Sequence, residues 1–187
     1  VINSFGSTAI AGYSAGMRIE SLSIVPMLAM GNAMSTFTAQ NMGAGKIDRV
    51  KEGYRMCYVI VLTAGAVLCV MYQLAGGAFV SLFLDSGSSE AYSVGLSYVK
   101  FLSFFYSFIG LKASTDGLLR GAGDVTAFTV ANLVNLAIRV SVTNLFAPVY
   151  GIQVAWMAVP LGWAANYVIS FGWYLTGKWK NVRVIRK

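Results

Sequence analysis

Apolar residues fill the chain in five long runs, each ended by a short polar or glycine-rich break. The first run has its apolar core at 21–42, and its helix is expected to begin as early as Thr8. The others cover about 53–84, 91–119, 125–147 and 152–176. A helix that crosses a bilayer needs about 20 mostly apolar residues, and every run meets that length. The second and third exceed it, so tilt or extension past the lipid is expected. Residues 1–7 read as the stub of a preceding span, and the chain reads as a fragment of a longer one. The expected architecture is all-α, a polytopic membrane bundle of five full transmembrane helices plus the stub of a sixth.

The breaks carry the orientation. Gly43-Ala44-Gly45-Lys46-Ile47-Asp48-Arg49 is a basic turn, and Arg120-Gly121-Ala122-Gly123-Asp124 holds one arginine. The stretch 85–90 has no base, and Pro148-Val149-Tyr150-Gly151 has no charge. Lys46, Arg49, Lys51, Arg55, Arg120 and the five bases of the tail therefore fall at alternate junctions, and the opposite junctions hold only Arg18. Lys and Arg mark the cytoplasmic side. The C-terminus is expected inside, with 177–187 as a basic cytoplasmic tail and residues 1–20 near the outer face. Pro26 and Pro160 lie within spans, where proline commonly kinks a helix.

Composition narrows the function. Hydrophobic residues make up 57% of the chain and charged residues 11%, against roughly 25% charged in a soluble domain. The net charge of +7 flanks apolar runs, which is a topology signal and not a nucleic-acid surface. Cys57 and Cys69 are about 18 Å apart along a helix, too far for a disulfide. There is no histidine, which excludes histidine catalysis and imidazole metal sites. Gly43–Lys46 lacks the spacing of a P-loop, and there is no paired-cysteine zinc spacing. Neither an enzyme nor a resident cofactor is expected.

Lys100, Lys112, Asp116 and Arg139 are ionisable residues inside apolar runs, where charge is costly and usually faces protein or water. Lys100 lies near the outer end of its span and can snorkel. Lys112 and Asp116, four apart, share one helical face, broadly with Phe101, Phe104, Phe105 and Phe108. Aromatics beside a carboxylate suit an organic cation. Equally, the aromatics can face lipid while Lys112 simply pairs with Asp116. On the other face Ser103, Ser107, Gly110, Ser114 and Gly117 form a small-residue stripe suited to close packing. In the fourth span Asn132, Asn135, Arg139 and Thr143 follow at spacings of 3, 4 and 4. This stripe either lines an aqueous cavity or bonds neighbouring helices, and Arg139 is a second candidate partner for Asp116. In the first span Asn32, Thr36 and Gln40 share one side, and Met27, Met30 and Met34 form another stripe that is more often plain packing. Asn32, Thr36, Gln40, Met30 and Phe105 are the candidate cavity lining. Glu20, near the outer rim, is a further candidate for cation contact.

Two segments resemble a known family. One is Gln40-Asn41-Met42-Gly43-Ala44-Gly45-Lys46 with Ile47-Asp48-Arg49-Val50-Lys51. The other is Thr115-Asp116-Gly117-Leu118-Leu119-Arg120-Gly121-Ala122-Gly123-Asp124. Both are similar to the multidrug and toxic compound extrusion (MATE) transporters, the first to the end of the eighth helix and its turn, the second to the end of the tenth. The resemblance implies a twelve-helix antiporter of two lobes, of which this chain is the C-terminal lobe, with the N-terminal lobe of the full-length chain as its partner. It implies export of organic, often cationic, drugs or toxins across the plasma membrane, a bacterial cytoplasmic membrane, in exchange for sodium ions or protons. By the same resemblance Asp116 matches an acid used for cation coupling and is the one candidate sodium ligand. Lys112 stands where some members carry a tyrosine, and its ammonium competes with sodium there. Lys112, Arg139, Asn132 and Asn135 complete the candidate coupling or substrate site. Two alternatives remain open, a lipid-linked saccharide flippase with a more cationic cavity and a non-transporting membrane fragment.

Overall fold

The computed structural model describes residues 5–85 and 89–181. Residues 1–4 of the expected stub, 86–88 of the polar break and 182–187 of the expected tail lie outside the described residues. Six α-helices follow in order: α1 (Ser7–Gly43), α2 (Ile47–Val80), α3 (Ser89–Ser103), α4 (Tyr106–Gly121), α5 (Val125–Tyr150) and α6 (Gln153–Leu175), then a 3₁₀ turn at Lys178–Asn181. α1, α2, α5 and α6 are each long and apolar enough to cross a membrane, and α3 with α4 pass the same test as a pair. Large apolar side chains face outward, among them Leu74 at 84% exposure and Val168 at 68%. Such a surface suits lipid, which solvates apolar groups and leaves every backbone group to be satisfied internally.

α4 is the axis of the bundle. It packs against α1, α2 and α6, while α5 lies outside and rests mainly on α6. The small-residue stripe explains the closeness of these contacts. A Cβ on Gly117 would run into the Gly31 carbonyl oxygen, and one on Gly121 into that of Ser35. The reverse holds for Gly31, whose Cβ would sit 2.6 Å from the Ala113 oxygen. Ser114 meets Cys57 of α2 at 3.1 Å, and Gly110 meets Val61 and Met27. With no hydrophobic drive between helices in lipid, such backbone approach is what holds them together. Met27 and Met34 are buried in this core.

The expected third span is not one straight helix. It breaks at Phe104–Phe105, and its halves meet at 52°. No proline or glycine lies at the break. Instead, Gln73 of α2 donates Nε2 to the Lys100 carbonyl and to Ser103 Oγ, both at 2.9 Å. A side chain from another helix thus satisfies the carbonyl that the break releases. By contrast α1 runs unbroken through Pro26, and α6 through Pro160. The uncharged stretch before Gly151 is also helical to Tyr150, because Pro148 costs only one bond near a helix end. The turn itself is confined to Gly151, at φ 88°, and Ile152.

Candidate functional site

Three helices converge on one carboxylate. Asp116, on the buried half of α4, is 4% exposed. Its Oδ2 accepts from Lys112 Nζ at 2.9 Å and from Asn132 Nδ2 of α5 at 3.4 Å. Its Oδ1 accepts from Ser170 Oγ of α6 at 2.6 Å. Lys112 also donates to Asn132 Oδ1 at 3.1 Å. The i,i+4 spacing puts Lys112 one helical turn from Asp116, and α5 and α6 close the cluster from outside. Asn166, one turn before Ser170, is fully buried, with its Nδ2 unpartnered. An ion pair this desolvated survives only because further hydrogen bonds meet its charges.

The pair opens on a cavity of 270 Å³ between α1, α4 and α5. Asn32, Phe128, Asn132, Lys112, Asp116 and Arg120 are on its wall. Arg120 donates to Asn32 Oδ1 at 2.8 Å and lies 5.5 Å from the Phe128 ring centre. Beside the pair, Thr115 Oγ1 joins a tyrosine layer on α2 and α6, with Tyr54 at 2.7 Å and Tyr58 at 2.9 Å. Tyr167 completes it, 3.3 Å from Tyr58.

The remaining candidate residues are dispersed. Arg139 is exposed on α5 and makes no ion pair with Asp116. Its stem and Asn135 lie over Gly162 of α6. Asn135 Oδ1 is buried without a partner. The stripe of α5 therefore splits, Asn132 to the ion pair and Asn135 and Arg139 to the α5–α6 contact. Thr36 and Gln40 are exposed on α1 and do not line the cavity with Asn32. Met30 faces a separate groove between α1 and α2. Phe105 lines an apolar groove with Phe101, Phe108 and residues of α6, and Phe104 points away at 61% exposure. The bend at Phe104–Phe105 puts Phe101 on a different helix from Lys112 and Asp116, whereas Phe108 shares α4 with them. Glu20 accepts from Tyr98 at the other end of the bundle. Ser170 and Asn166 went unselected in the sequence, although a polar pair four apart in a strongly apolar span was a usable signal.

No group of three or more His, Cys, Asp or Glu stands together among the described residues. At Asp116 the Lys112 ammonium holds the position that a sodium ion would take against Oδ2. The residues as arranged do not fit a resident sodium.

Fold and site together define a multi-pass helical membrane protein built around a buried ion pair. The MatE family model matches residues 1–146, and the chain belongs to that family, one of transporters and not of enzymes. It is 29% identical over 185 residues to the probable multidrug resistance protein YpnP of Bacillus subtilis, covering 98% of this chain and 41% of that one. It is 24% identical over 188 residues to the probable multidrug resistance protein YoeA of the same organism, covering 99% and 40%. The chain thus spans about two-fifths of the length of the curated relatives it matches. Among solved structures it resembles an inward-facing multidrug resistance MATE family transporter of the MOP superfamily. The TM-score is 0.80 at 17% identity, over 96% of this chain and 39% of the other.

Proposed function

We propose that this chain is the C-terminal lobe of a proton-coupled antiporter that exports organic cations, with Asp116 as the carboxylate for which substrate and proton compete. The buried Lys112–Asp116 pair at the edge of a cavity carries this reading. Among the described residues, Asp116 is the carboxylate on that cavity wall. At rest Lys112 neutralises it. A cationic substrate takes the place of the ammonium, and Lys112 swings to Asn132 Oδ1, which it already touches. A proton on Asp116 removes the negative charge and expels the substrate. Alternation between inward- and outward-open states then exchanges one cation for the other. Proton coupling is preferred over sodium because both carboxylate oxygens already have donors. A proton needs no new coordination sphere.

The flippase reading needs a cationic cavity. Asp116 meets the charge of Lys112, and Arg139 lies over Gly162, away from the cavity wall, which leaves Arg120 as the one unpaired cation on that wall among the described residues. The exporter reading is preferred because the wall also carries a carboxylate, which an anionic lipid would not need. In the expected orientation the turns after α1 and α4 face the cytoplasm.

Full-length protein in liposomes, with proton and sodium gradients imposed separately, tests the coupling. Uptake of a fluorescent cationic dye should follow the proton gradient and ignore sodium. Transport driven by sodium alone would reject this choice of ion.

A further inference from the structure

The two glycine-rich turns that follow α1 and α4 come together at the basic end of the bundle and wall a cavity of 810 Å³. Gly43, Gly45, Ile47 and Gly121 lie on its wall, with two cations, Arg120 and Lys180, and no Asp or Glu. The acids of both turns have partners of their own, although Asp48 also lies within electrostatic reach of Lys180. Asp48 pairs with Lys51 at 2.7 Å in an exposed position. Asp124 caps α5 and accepts from Trp173 Nε1 at 2.6 Å. Arg120 donates to Asn32 and Ser35, both neutral, and makes no salt bridge among the described residues. Lys180 lies over the Trp179 ring, 5.8 Å from its centre.

The backbone is open to an acceptor here. α2 begins at the cavity with no side-chain cap, unlike α5, so its first-turn N–H groups lack a side-chain acceptor, although Asp48 in the same turn offsets part of their charge. A Cβ on Gly43 or Gly45 would meet no atom within 4 Å, so the turn is open on that side. Depth follows from the end of α6. Lys178 and Lys180 follow its last turn, against the rings of Trp173 and the buried Trp179, and basic residues just past a span belong at headgroup level.

We propose that this cavity binds the phosphate-bearing headgroup of an anionic membrane lipid, with Arg120 and Lys180 as its phosphate ligands. Two bases from separate elements, a volume far larger than a bare ion needs and a position at headgroup depth all point to a lipid. Arg120 lies one turn beyond Asp116 on α4. The bound lipid therefore bears on the helix that carries the ion pair.

The test uses purified, delipidated full-length transporter titrated with phosphatidylglycerol, with native mass spectrometry counting retained lipid. Phosphatidylcholine is the zwitterionic reference, and inorganic phosphate is the free anion. Phosphatidylglycerol should be retained over phosphatidylcholine. Its affinity should fall by about tenfold or more in Arg120→Gln/Lys180→Gln and stay unchanged in Lys51→Gln. Equal retention of the two lipids, or unchanged retention in the double variant, overturns the proposal. So does displacement of the lipid by equimolar inorganic phosphate. Should Arg120→Gln fail to fold, Lys180→Gln alone decides, because Lys180 is exposed and its side chain makes no hydrogen bond among the described residues. A several-fold loss supports the lipid site, and no loss rejects it.

Discussion

At Asp116 the arithmetic of donors and charges decides what the site can do. One oxygen takes Ser170, the other takes Lys112 and Asn132. Removing one partner of a buried pair leaves the other uncompensated, a loss of about 3–5 kcal/mol if the survivor stays charged. In Lys112→Gln the carboxylate loses its resident cation, so a monovalent organic cation should bind at least about tenfold more tightly. Equilibrium binding to the full-length protein checks this, and unchanged affinity would mean that the ammonium does not occupy the substrate's place. Ser170→Ala removes one hydrogen bond to a charged group, about 1.5–3 kcal/mol. It should weaken the pair while leaving the net charge intact, which a smaller change in cation affinity than that of Lys112→Gln would register. That Lys112 and Asp116 share one helical face was legible from their spacing. The choice of Lys112 over Arg139 was not, because it depends on how α5 packs on α6. There Gly162 makes room for Asn135 and the Arg139 stem. Ser170 reaches Asp116 across 54 residues of chain, a distance that no local pattern encodes.

At the scale of elements, the helices themselves were readable because each apolar run exceeds the length of a span. The Ser/Gly stripe of α4 was readable too, since small residues at helical spacing leave no other reason for the pattern. The break between α3 and α4 was hidden, because its cause lies on α2. Gln73 holds the freed Lys100 carbonyl and Ser103. Both prolines drew attention in the sequence, yet their helices are continuous. Gln73→Leu removes both of these hydrogen bonds and leaves the carbonyl to Ser103 Oγ alone, at 2.7 Å, a net loss of about 0.5–1.5 kcal/mol per bond, read as a lower melting temperature in detergent. An unchanged melting temperature would show that the bend does not depend on Gln73. Gly117→Leu places a side chain against the Gly31 backbone. Overpacking of this kind costs typically about 1–3 kcal/mol, so this variant should also melt lower, whereas Gly172→Leu, where a Cβ meets nothing, should not.

For the molecule as a whole, the bundle presents one basic end, where Lys46, Arg49, Arg120 and Lys180 gather, and an opposite end with Glu20, Tyr98 and Trp156. Cysteines introduced at Lys46 and at Gly151 in the full-length protein should differ in their reaction with a membrane-impermeant maleimide. Position 46 should label only from inside and position 151 only from outside. Labelling of both from one side would reverse or discard the proposed topology. The chain spans about two-fifths of the length of the curated relatives it matches, so the alternating access proposed above calls for an opposite cavity wall. The claim at the centre is that a cation and a proton compete for Asp116. Its most direct test is the pH dependence of tetraphenylphosphonium binding to the full-length protein. Binding by the native protein should weaken as pH falls, approaching about tenfold per pH unit for one competing proton, and Asp116→Asn should bind weakly with no such slope. The same slope in Asp116→Asn would contradict the account.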